Sequence, residues 1–215
     1  MHRLLTITTA ASDLSLLTIE EMRAAAGISG SGSDTALRAM ERRIAAAIMS
    51  ECNIAIGPGK PPTLLRETLT ETIYQACGEG LVLSRRHDVE ISSLVEDTVM
   101  LLAADYMVDP ESGIINKLCD DYPTWWTARK VVVVYDAGFE TVPDDLKMAA
   151  IDFFRLSWLE QKRDPSLKSE VVDIPDVRRV ERGYWVGSVP GQSNEGAVPD
   201  IVAGQLTRFR NMMVA

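Results

Sequence analysis

The stretch that decides the fold is residues 131–147, VVVVYDAGFETVPDDLK. Four valines and Tyr135 are β-branched or aromatic, and such a run favours a strand. Gly138 then permits a backbone turn that a bulky residue resists. Asp144 and Asp145 suit the first turn of a helix, where carboxylates meet free backbone N–H groups. The stretch therefore predicts a joint, in which a strand turns and leads into a helix.

The helix predicted after this turn covers residues 142–163. Its apolar positions extend over more than one face, which indicates a helix buried on two sides. In a small domain, the second side is expected to face a neighbouring subunit. The residues predicted to pack between subunits are Leu146, Ala150, Phe153, Phe154 and Trp158.

Two further helices are predicted near the N-terminus. Thr18 followed by Glu21 fits a capping box, and Gly27 is a suitable end for this first helix. A longer helix is predicted from Ser33 or Asp34 to the Gly-Pro-Gly at 57–59, because its apolar residues recur at spacings of three and four. That stripe consists of Leu37, Met40, Ile44, Ala47, Ile48 and Cys52.

The period changes in residues 60–135, which are rich in Thr, Val and Ile. Short apolar runs alternate with turn signals such as 77–80, 109–113 and 120–123. This spacing predicts an antiparallel sheet or a long hairpin inserted between helices. The 109–113 stretch is predicted to be a tight turn between two strands.

From Asp164 onward the sequence has scattered Pro and Gly and no sustained period, so it cannot form a core of its own. A short amphipathic helix is predicted within 201–215. The apolar and basic residues of this arm are predicted to dock into a partner, although folding back onto the body is the alternative. The predicted partner-binding residues are Arg178, Arg179, Tyr184, Trp185, Phe209, Met212 and Met213.

The predicted fold is therefore mainly α with a β insertion: a small helical bundle, an antiparallel insertion and an extended C-terminal arm. The expected divisions are N-terminal helices in 1–59, the insertion in 60–135, the strand–turn–helix in 136–163 and the arm in 164–215.

Charge and composition exclude some functions. The net charge is −9 and the pI about 4.8, which disfavours binding to DNA or to anionic lipid. No apolar run approaches the roughly 20 residues of a membrane span, and no signal peptide is expected. The three cysteines are widely spaced, so we expect reduced thiols in a cytoplasm-like compartment.

No constellation predicts catalysis or a cofactor. A pair of carboxylates such as Asp144 and Asp145 can perform acid–base work, but the start of a helix accounts for every residue here, so no catalytic role is predicted for them. The GISGSGSD stretch lacks the Lys of a phosphate loop and is predicted to be a linker. His2 and His87 lie far apart, no metal-ligand spacing occurs, and His87 is predicted to lie in an exposed polar turn.

The order of these parts resembles the head–tail connector, or adaptor, proteins of long-tailed phages, prophages and gene transfer agents. The opening helices LTIEEMRAAAGISGSGSDTALRAMERRIAAAI, the YMVDPESGII hairpin and Trp125 and Trp126 each have a counterpart there. VVVVYDAGFETVPDDLKMAAIDFF is the most specific part. The resemblance covers roughly residues 15–163, and the C-terminal arm is similar only in type.

The resemblance implies a structural role without catalytic residues. Such adaptors form a ring, usually twelvefold, below the portal protein, and their C-terminal arm inserts into the portal. Stopper and tail proteins would be further partners, and DNA would pass through an acidic channel without sequence-specific binding. The protein would then reside in the neck of the virion, after assembly in the host cytoplasm. The alternatives are a stopper or tail-completion protein, or a small cytosolic enzyme using the acids near Asp144.

Overall fold

The computed structural model describes residues 2–160, 169–174, 178–183 and 197–211 of the 215-residue chain. The helices of these residues are α1 Ile19–Ala26, α2 Asp34–Glu51, α3 Asp144–Glu160 and α4 Asp200–Gln205, and a 3-10 turn covers Thr207–Phe209. The strands are β1 His2–Thr9, β2 Glu67–Tyr74, β3 Gly80–Val82, β4 Glu90–Glu96, β5 Val99–Met100, β6 Tyr106–Asp109, β7 Ile114–Cys119, β8 Tyr122–Thr124, β9 Lys130–Ala137, β10 Ser169–Ile174 and β11 Arg178–Gly183.

The chain divides into two compact units, each made of separate stretches of sequence. The first, called here the β unit, draws on Met1–Leu14, Cys52–Pro143 and Phe209–Ala215. The second, called the helical unit, draws on Ser15–Glu51 and Asp144–Arg208. The four sequence divisions given above stay a prediction.

The main sheet of the β unit is antiparallel, with the strand order β1-β2-β9-β4-β5. In β9, Val131, Val133 and Tyr135 are buried, whereas the valines between them are half-buried. This alternation places every second side chain of β9 in the core. The strand predicted from the four valines is therefore confirmed.

A smaller antiparallel sheet completes the β unit. Strand β7 pairs with β6 on one side and with β3 and β8 on the other, in the order β3-β7-β6 with β8 beside β7. The β6–β7 connection is the predicted tight turn: Asp109 accepts hydrogen bonds from Ser112 Oγ at 2.6 Å and from the backbone N–H of Glu111 at 3.1 Å. Gly113 closes it with φ +68°.

The helical unit follows the predicted pattern closely. Thr18 and Glu21 form the capping box of α1, and Gly27 ends that helix in the left-handed conformation. The stripe predicted for the second helix is buried, except that Ala47 is half-buried. The predicted end at 57–59 is wrong, because α2 ends at Glu51 and Cys52 already belongs to the β unit. Lys147 of α3 forms an ion pair with Glu21 of α1 at 3.1 Å.

The prediction of a mainly α fold is wrong. Within the described residues, the strands are at least as extensive as the helices, and nine of the strands lie in two antiparallel sheets, so the fold is α+β without a helical majority. One cause is β1, in the region that was expected to be only helical. Its HRLLTITT pattern alternates, and its strand state depends on pairing with β2, where His2 lies opposite Tyr74. Across the described ranges, no helix is long and apolar enough to cross a membrane.

Candidate assembly surfaces

The end of β9 is held tightly around Gly138. Its backbone has φ +100°, and its N–H donates to the carbonyl of His87 at 2.8 Å. The next residue, Phe139, donates to the carbonyl of Leu64 at 2.9 Å. A Cβ at position 138 would lie 2.5 Å from the carbonyl oxygen of Leu65. Both the backbone conformation and the close approach therefore require glycine at this turn.

Among the acidic residues after this turn, Asp145 has structural partners. Asp144 and Asp145 lie in the first turn of α3, as predicted. The Asp145 carboxylate accepts a hydrogen bond from the N–H of Leu146 at 3.0 Å and another from Arg208 at 2.7 Å. These contacts are those of a helix start and a surface ion pair. In the part of the chain that the structure describes, no group of three His, Cys, Asp or Glu residues could hold a metal ion.

His87 is buried in the β unit, so the prediction of an exposed turn is wrong. Its ring stacks on Phe139, with centroids 4.9 Å apart, and meets the edge of Phe209 at 6.0 Å. Nδ1 lies 3.1 Å from a carboxylate oxygen of Glu111. The polar neighbours in SRRHD indicated a surface turn, whereas the aromatic contacts come from distant parts of the chain.

The protonation of His87 is coupled to folding. Burial lowers the pKa of His87 below its usual 6.5; the charge of Arg86 adds to this, whereas Glu111 opposes it. The unfolded chain therefore binds a proton more readily than the folded one. The contribution of the neutral His87 ring to the free energy of unfolding should be fully present above about pH 7. It should be lost as the pH falls through about 6.5 and below.

We expect urea unfolding to report a lower free energy of unfolding at about pH 5.5 than at about pH 7.5. His87→Leu removes the titrating group and should reduce this difference, even though the variant is itself less stable. His2→Gln, at an exposed position, is the matched control and should leave the difference unchanged. An equal pH dependence in wild type and His87→Leu would show that His87 is not its source.

Glu71 is the centre of a buried polar network in the main sheet. Its side chain is fully buried and accepts hydrogen bonds from Arg3 at 3.0 Å, from the Tyr135 hydroxyl at 3.0 Å, and from Ser84 through N–H at 2.9 Å and Oγ at 2.8 Å. Burial raises the pKa of Tyr135 well above its usual value, and the Glu71 carboxylate adds to this, so the phenol stays protonated and donates. The network ties β1, β9 and the segment after β3 to β2.

A second buried pair lies beside this network. Arg85 Nη2 is 3.2 Å from a carboxylate oxygen of Glu67, and Arg85 Nη1 donates to the carbonyl of Thr63. Burial raises the pKa of Glu67 and lowers that of Arg85, and in each case the charge of the partner opposes the shift. The pair fixes the segment before β2 against the one after β3.

Sequence reasoning missed both carboxylates, although β2 contained a signal. Its sequence ETLTETIY places Glu67, Leu69, Glu71 and Ile73 at alternate positions, and all four are buried. A strand with this period puts alternate residues on one face. Two glutamates that share the face of the core residues therefore indicate buried, partnered carboxylates.

Helix α3 buries most of the residues predicted to lie between subunits. Those that are buried within the chain are Leu146, Ala150, Phe153 and Phe154. Trp158 is half-buried, with its ring centroid 6.4 Å from that of Phe154. The exposed apolar residues of α3 are Met148, at 54%, and Leu159, at 75%. At 100° per residue these two lie on nearly the same side of the helix.

Helix α4, near the end of the chain, packs against α3. Within the helical unit, Val202 and Leu206 are fully buried, and Gln205 donates to Asp152 of α3 at 3.1 Å. The ion pair between Arg208 and Asp145 reinforces this packing. Residues 197–208 therefore follow the fold-back alternative.

Phe209 and Asn211, near the end of the chain, pack in the β unit. Phe209, predicted to anchor a partner, is fully buried and packs edge-on against Phe139 at 5.9 Å. Asn211 donates from its backbone to the carbonyl of Cys52 at 2.8 Å and from its side chain to that of Ser84 at 3.1 Å. Met212 and Met213 lie outside the described residues.

Strands β10 and β11 form a two-stranded antiparallel ribbon. Ser169 lies opposite Gly183, and Ile174 lies opposite Arg178. Of the residues predicted to bind a partner, Arg178 begins β11 and Arg179, the next residue, is exposed. Tyr184 and Trp185 lie outside the described residues. Their partner-binding role stays a prediction.

One end of the β unit exposes large apolar side chains. The end of β4 and the segment after β5 both lie against β7, because Lys117 pairs with Glu96 at 2.6 Å and the N–H of Leu118 donates to the carbonyl of Asp105 at 2.8 Å. Strand β8 also pairs with this half of β7. The exposed residues here are Val99, Met100, Leu102, Tyr122 and Trp125. Such a concentration is typical of an interaction surface.

No protein-family profile matches the sequence, and no curated protein matches it. Solved structures do share the fold. A chain from the neck of an empty GTA particle, computed with C6 symmetry, is 18% identical with a TM-score of 0.55; the match covers 99% of this chain and 97% of that one.

Two further structures match over the same extent. A chain from the virion of a native gene transfer agent (GTA) particle is 17% identical, with a TM-score of 0.53 and coverage of 98% and 97%. A chain from the neck of a native GTA particle, computed with C12 symmetry, is 17% identical, with a TM-score of 0.51 and coverage of 99% and 97%. The resemblance seen in the sequence is therefore confirmed at the level of the fold.

Proposed function

We propose that this protein is a structural component of the neck of a phage-like particle, a head–tail connector that forms a ring below the portal. The observation that carries the proposal is the fold shared with chains of GTA neck structures along 97% of their length. Those structures have C6 and C12 symmetry, which supports a ring of copies, twelvefold in the particle. The role is mechanical rather than catalytic, and the protein resides in the virion neck after assembly in the host cytoplasm.

Helix α3 supplies one subunit contact in this ring. The inner face of α3 consists of residues that are buried within the chain, namely Leu146, Ala150, Phe153 and Phe154. The outer surface offered to the next copy is then Met148 and Leu159, with the exposed part of Trp158. Covering two exposed apolar side chains on one helix side contributes to association through the hydrophobic effect.

The negative charge of the chain suits a ring through which DNA passes. A net charge of −9 per copy gives a ring a strongly negative surface. Such a surface repels phosphates instead of binding them, so DNA moves through without sequence-specific contacts.

The portal contact is assigned to the segment between α3 and α4, the arm of the sequence analysis. In sequence it follows α3, which ends at Glu160, and precedes Val198, which is buried. Folded residues of the helical unit therefore flank the arm on both sides in sequence. Its portal-binding residues are Arg178, Arg179, Tyr184 and Trp185, with the arginines meeting acidic groups.

The tail-side contact is assigned to the exposed apolar end of the β unit. Trp125 and Tyr122 are large aromatic residues of the kind that dominates interface energetics. Stopper or tail proteins are the partners that would cover this end.

The portal assignment is tested by replacing residues 161–196 with a flexible linker. Truncation after Asp164 is not a suitable test, because it would also remove the buried residues Val202 and Leu206 of the helical unit and Phe209 of the β unit. The replacement should leave the free energy of unfolding nearly unchanged and weaken portal binding by about 100-fold or more, as expected for loss of hot-spot residues. Light scattering and surface plasmon resonance with the purified portal measure this.

The matched control is a double variant, Leu102→Ser with Trp125→Ser, at the apolar end of the β unit. It should bind the portal as wild type does and should lose affinity for the tail-side partner. Unchanged portal binding after replacement of 161–196 would contradict the assignment. If the intact chain does not bind the portal and binds only a preassembled connector ring, the protein is a stopper instead of a connector.

A further inference from the structure

Strand β1 forms a long edge of the main sheet. It is the last strand on its side, and among the described strands only β2 pairs with it. Its eight residues contain neither proline nor lysine, which commonly protect edge strands, and its arginine, Arg3, pairs with Glu71 of the neighbouring β2. Its one irregularity is a register shift between Ile7 and Thr9, at the end of the strand. The outward backbone groups of such an edge can pair with another strand.

The other sheet edges are less suitable. Strand β5 has two residues, and β6 has four and runs directly into Pro110. At β1, by contrast, Leu4, Thr6 and Thr8 are all exposed. Within the described residues, β1 is thus the long sheet edge that is open to a further strand.

The β10–β11 ribbon is a pair of strands that lacks a larger sheet, whereas β1 is the edge of a sheet that lacks a further strand. Each of its strands has six residues, and the described sheets give it no third strand. A two-stranded ribbon is marginally stable in water unless it packs against a helix or gains another strand. The ribbon also lies in the arm between α3 and α4 in sequence, so the chain stays connected to the helical unit on both sides when the ribbon pairs with a neighbouring copy.

We propose that the ribbon of one copy pairs along the β1 edge of the next copy and extends its five-stranded sheet to seven strands. Backbone hydrogen bonds supply the attraction in this kind of strand addition. The donor and acceptor are different surfaces, so the contact is heterologous; such contacts form rings when the rotation closes.

This inference rests on the proposed connector function and names a second contact between copies. The backbones of the ribbon strands, which include Arg178 and Arg179 of β11, join neighbouring copies, whereas Tyr184 and Trp185 follow β11 in sequence and remain for the portal. The ribbon would therefore be fixed by ring formation before the portal is bound.

Disulfide cross-linking between separately labelled copies tests the pairing. Exposed cysteines are first removed by Cys77→Ser and Cys119→Ser. One chain then carries Thr6→Cys or Thr8→Cys, and the other carries Val171→Cys, Val172→Cys, Val180→Cys or Glu181→Cys. Adjacent positions sample both faces of each ribbon strand. Since each chain has one introduced cysteine, a β1–ribbon disulfide can form only between copies.

At least one combination should give about tenfold more cross-linked dimer than the control pair of Thr6→Cys with Leu102→Cys, because paired strands hold Cα atoms at disulfide distance. Rings that form without any β1–ribbon cross-link would overturn this inference and leave the connector function standing. The absence of rings, of cross-links and of portal binding together would overturn both.

Discussion

Gly138→Val is expected to lower the free energy of unfolding of the β unit by about 2–5 kcal/mol. Two costs add. The backbone at φ +100° is one that a β-branched residue rarely adopts, and the new Cβ would meet the carbonyl oxygen of Leu65 at 2.5 Å and its carbon at 2.7 Å. These neighbours are backbone atoms, and the adjacent carbonyl of Leu64 accepts a hydrogen bond from Phe139. The backbone at Leu65 therefore cannot shift without a loss of stability.

Gly78 provides a control that separates these two costs. It also lies in the β unit, with φ +119°, but a Cβ there would have no atom within 4 Å. Gly78→Ala should therefore cost only about 1–2 kcal/mol, from backbone strain alone, and Gly138→Ala should cost more. Urea unfolding of the variants measures the difference. Equal losses for both alanine variants would show that close packing at Gly138 is unimportant.

Glu71→Ala is expected to cost about 3–5 kcal/mol, the usual effect of removing one partner from a buried ion pair. The substitution removes the acceptor of the Tyr135 hydroxyl and of both donors of Ser84, and it leaves the Arg3 guanidinium without the carboxylate that balances its charge. Unsatisfied buried donors cost more than the hydrogen bonds they lose. Because these donors belong to different segments, the main sheet should lose its register along β1 and β9.

Two variants test whether burial is the reason. Tyr135→Phe removes a single hydrogen bond from the network and should cost about 1 kcal/mol. Glu90→Ala removes a carboxylate from an exposed pair with Arg66, and should cost less than about 1 kcal/mol. Hydrogen exchange of the β1 and β9 amides reports the local effect. A loss for Glu71→Ala no larger than that for Glu90→Ala would contradict the role of the network.

The elements predicted correctly from the sequence are those decided by nearby residues. Thr18, Glu21 and Gly27 set the ends of α1 through contacts within a few positions. The valine run, the glycine and the acids of residues 131–147 likewise specify strand, turn and helix locally.

The errors of the sequence prediction arise where residues far away in sequence determine the secondary structure or the burial of a residue. Strand β1 is ordered by β2, and its sequence gives only a short alternation between Leu5 and Ile7. His87 is buried because Phe139 and Phe209 lie against it, although its own neighbours are polar. The balance between helix and strand was therefore predicted wrongly even where single elements were right.

The proposed partner sites were only partly accessible to sequence reasoning. An apolar helix face does not reveal whether its own chain or another subunit covers it, and α3 uses Leu146 and Phe154 internally. Phe209 was likewise predicted to bind a partner from the arm, because the sequence around an aromatic residue after a loop does not indicate which surface buries it. The open edge of β1 became visible only once the strand order was known.

Electron microscopy of the purified protein with its portal tests the central claim most directly. The account predicts closed rings with sixfold or twelvefold symmetry on the portal, with α3 and β1 of each copy against the next copy. A chain that stays monomeric, and leaves the portal bare at concentrations well above those in an assembling particle, would contradict it.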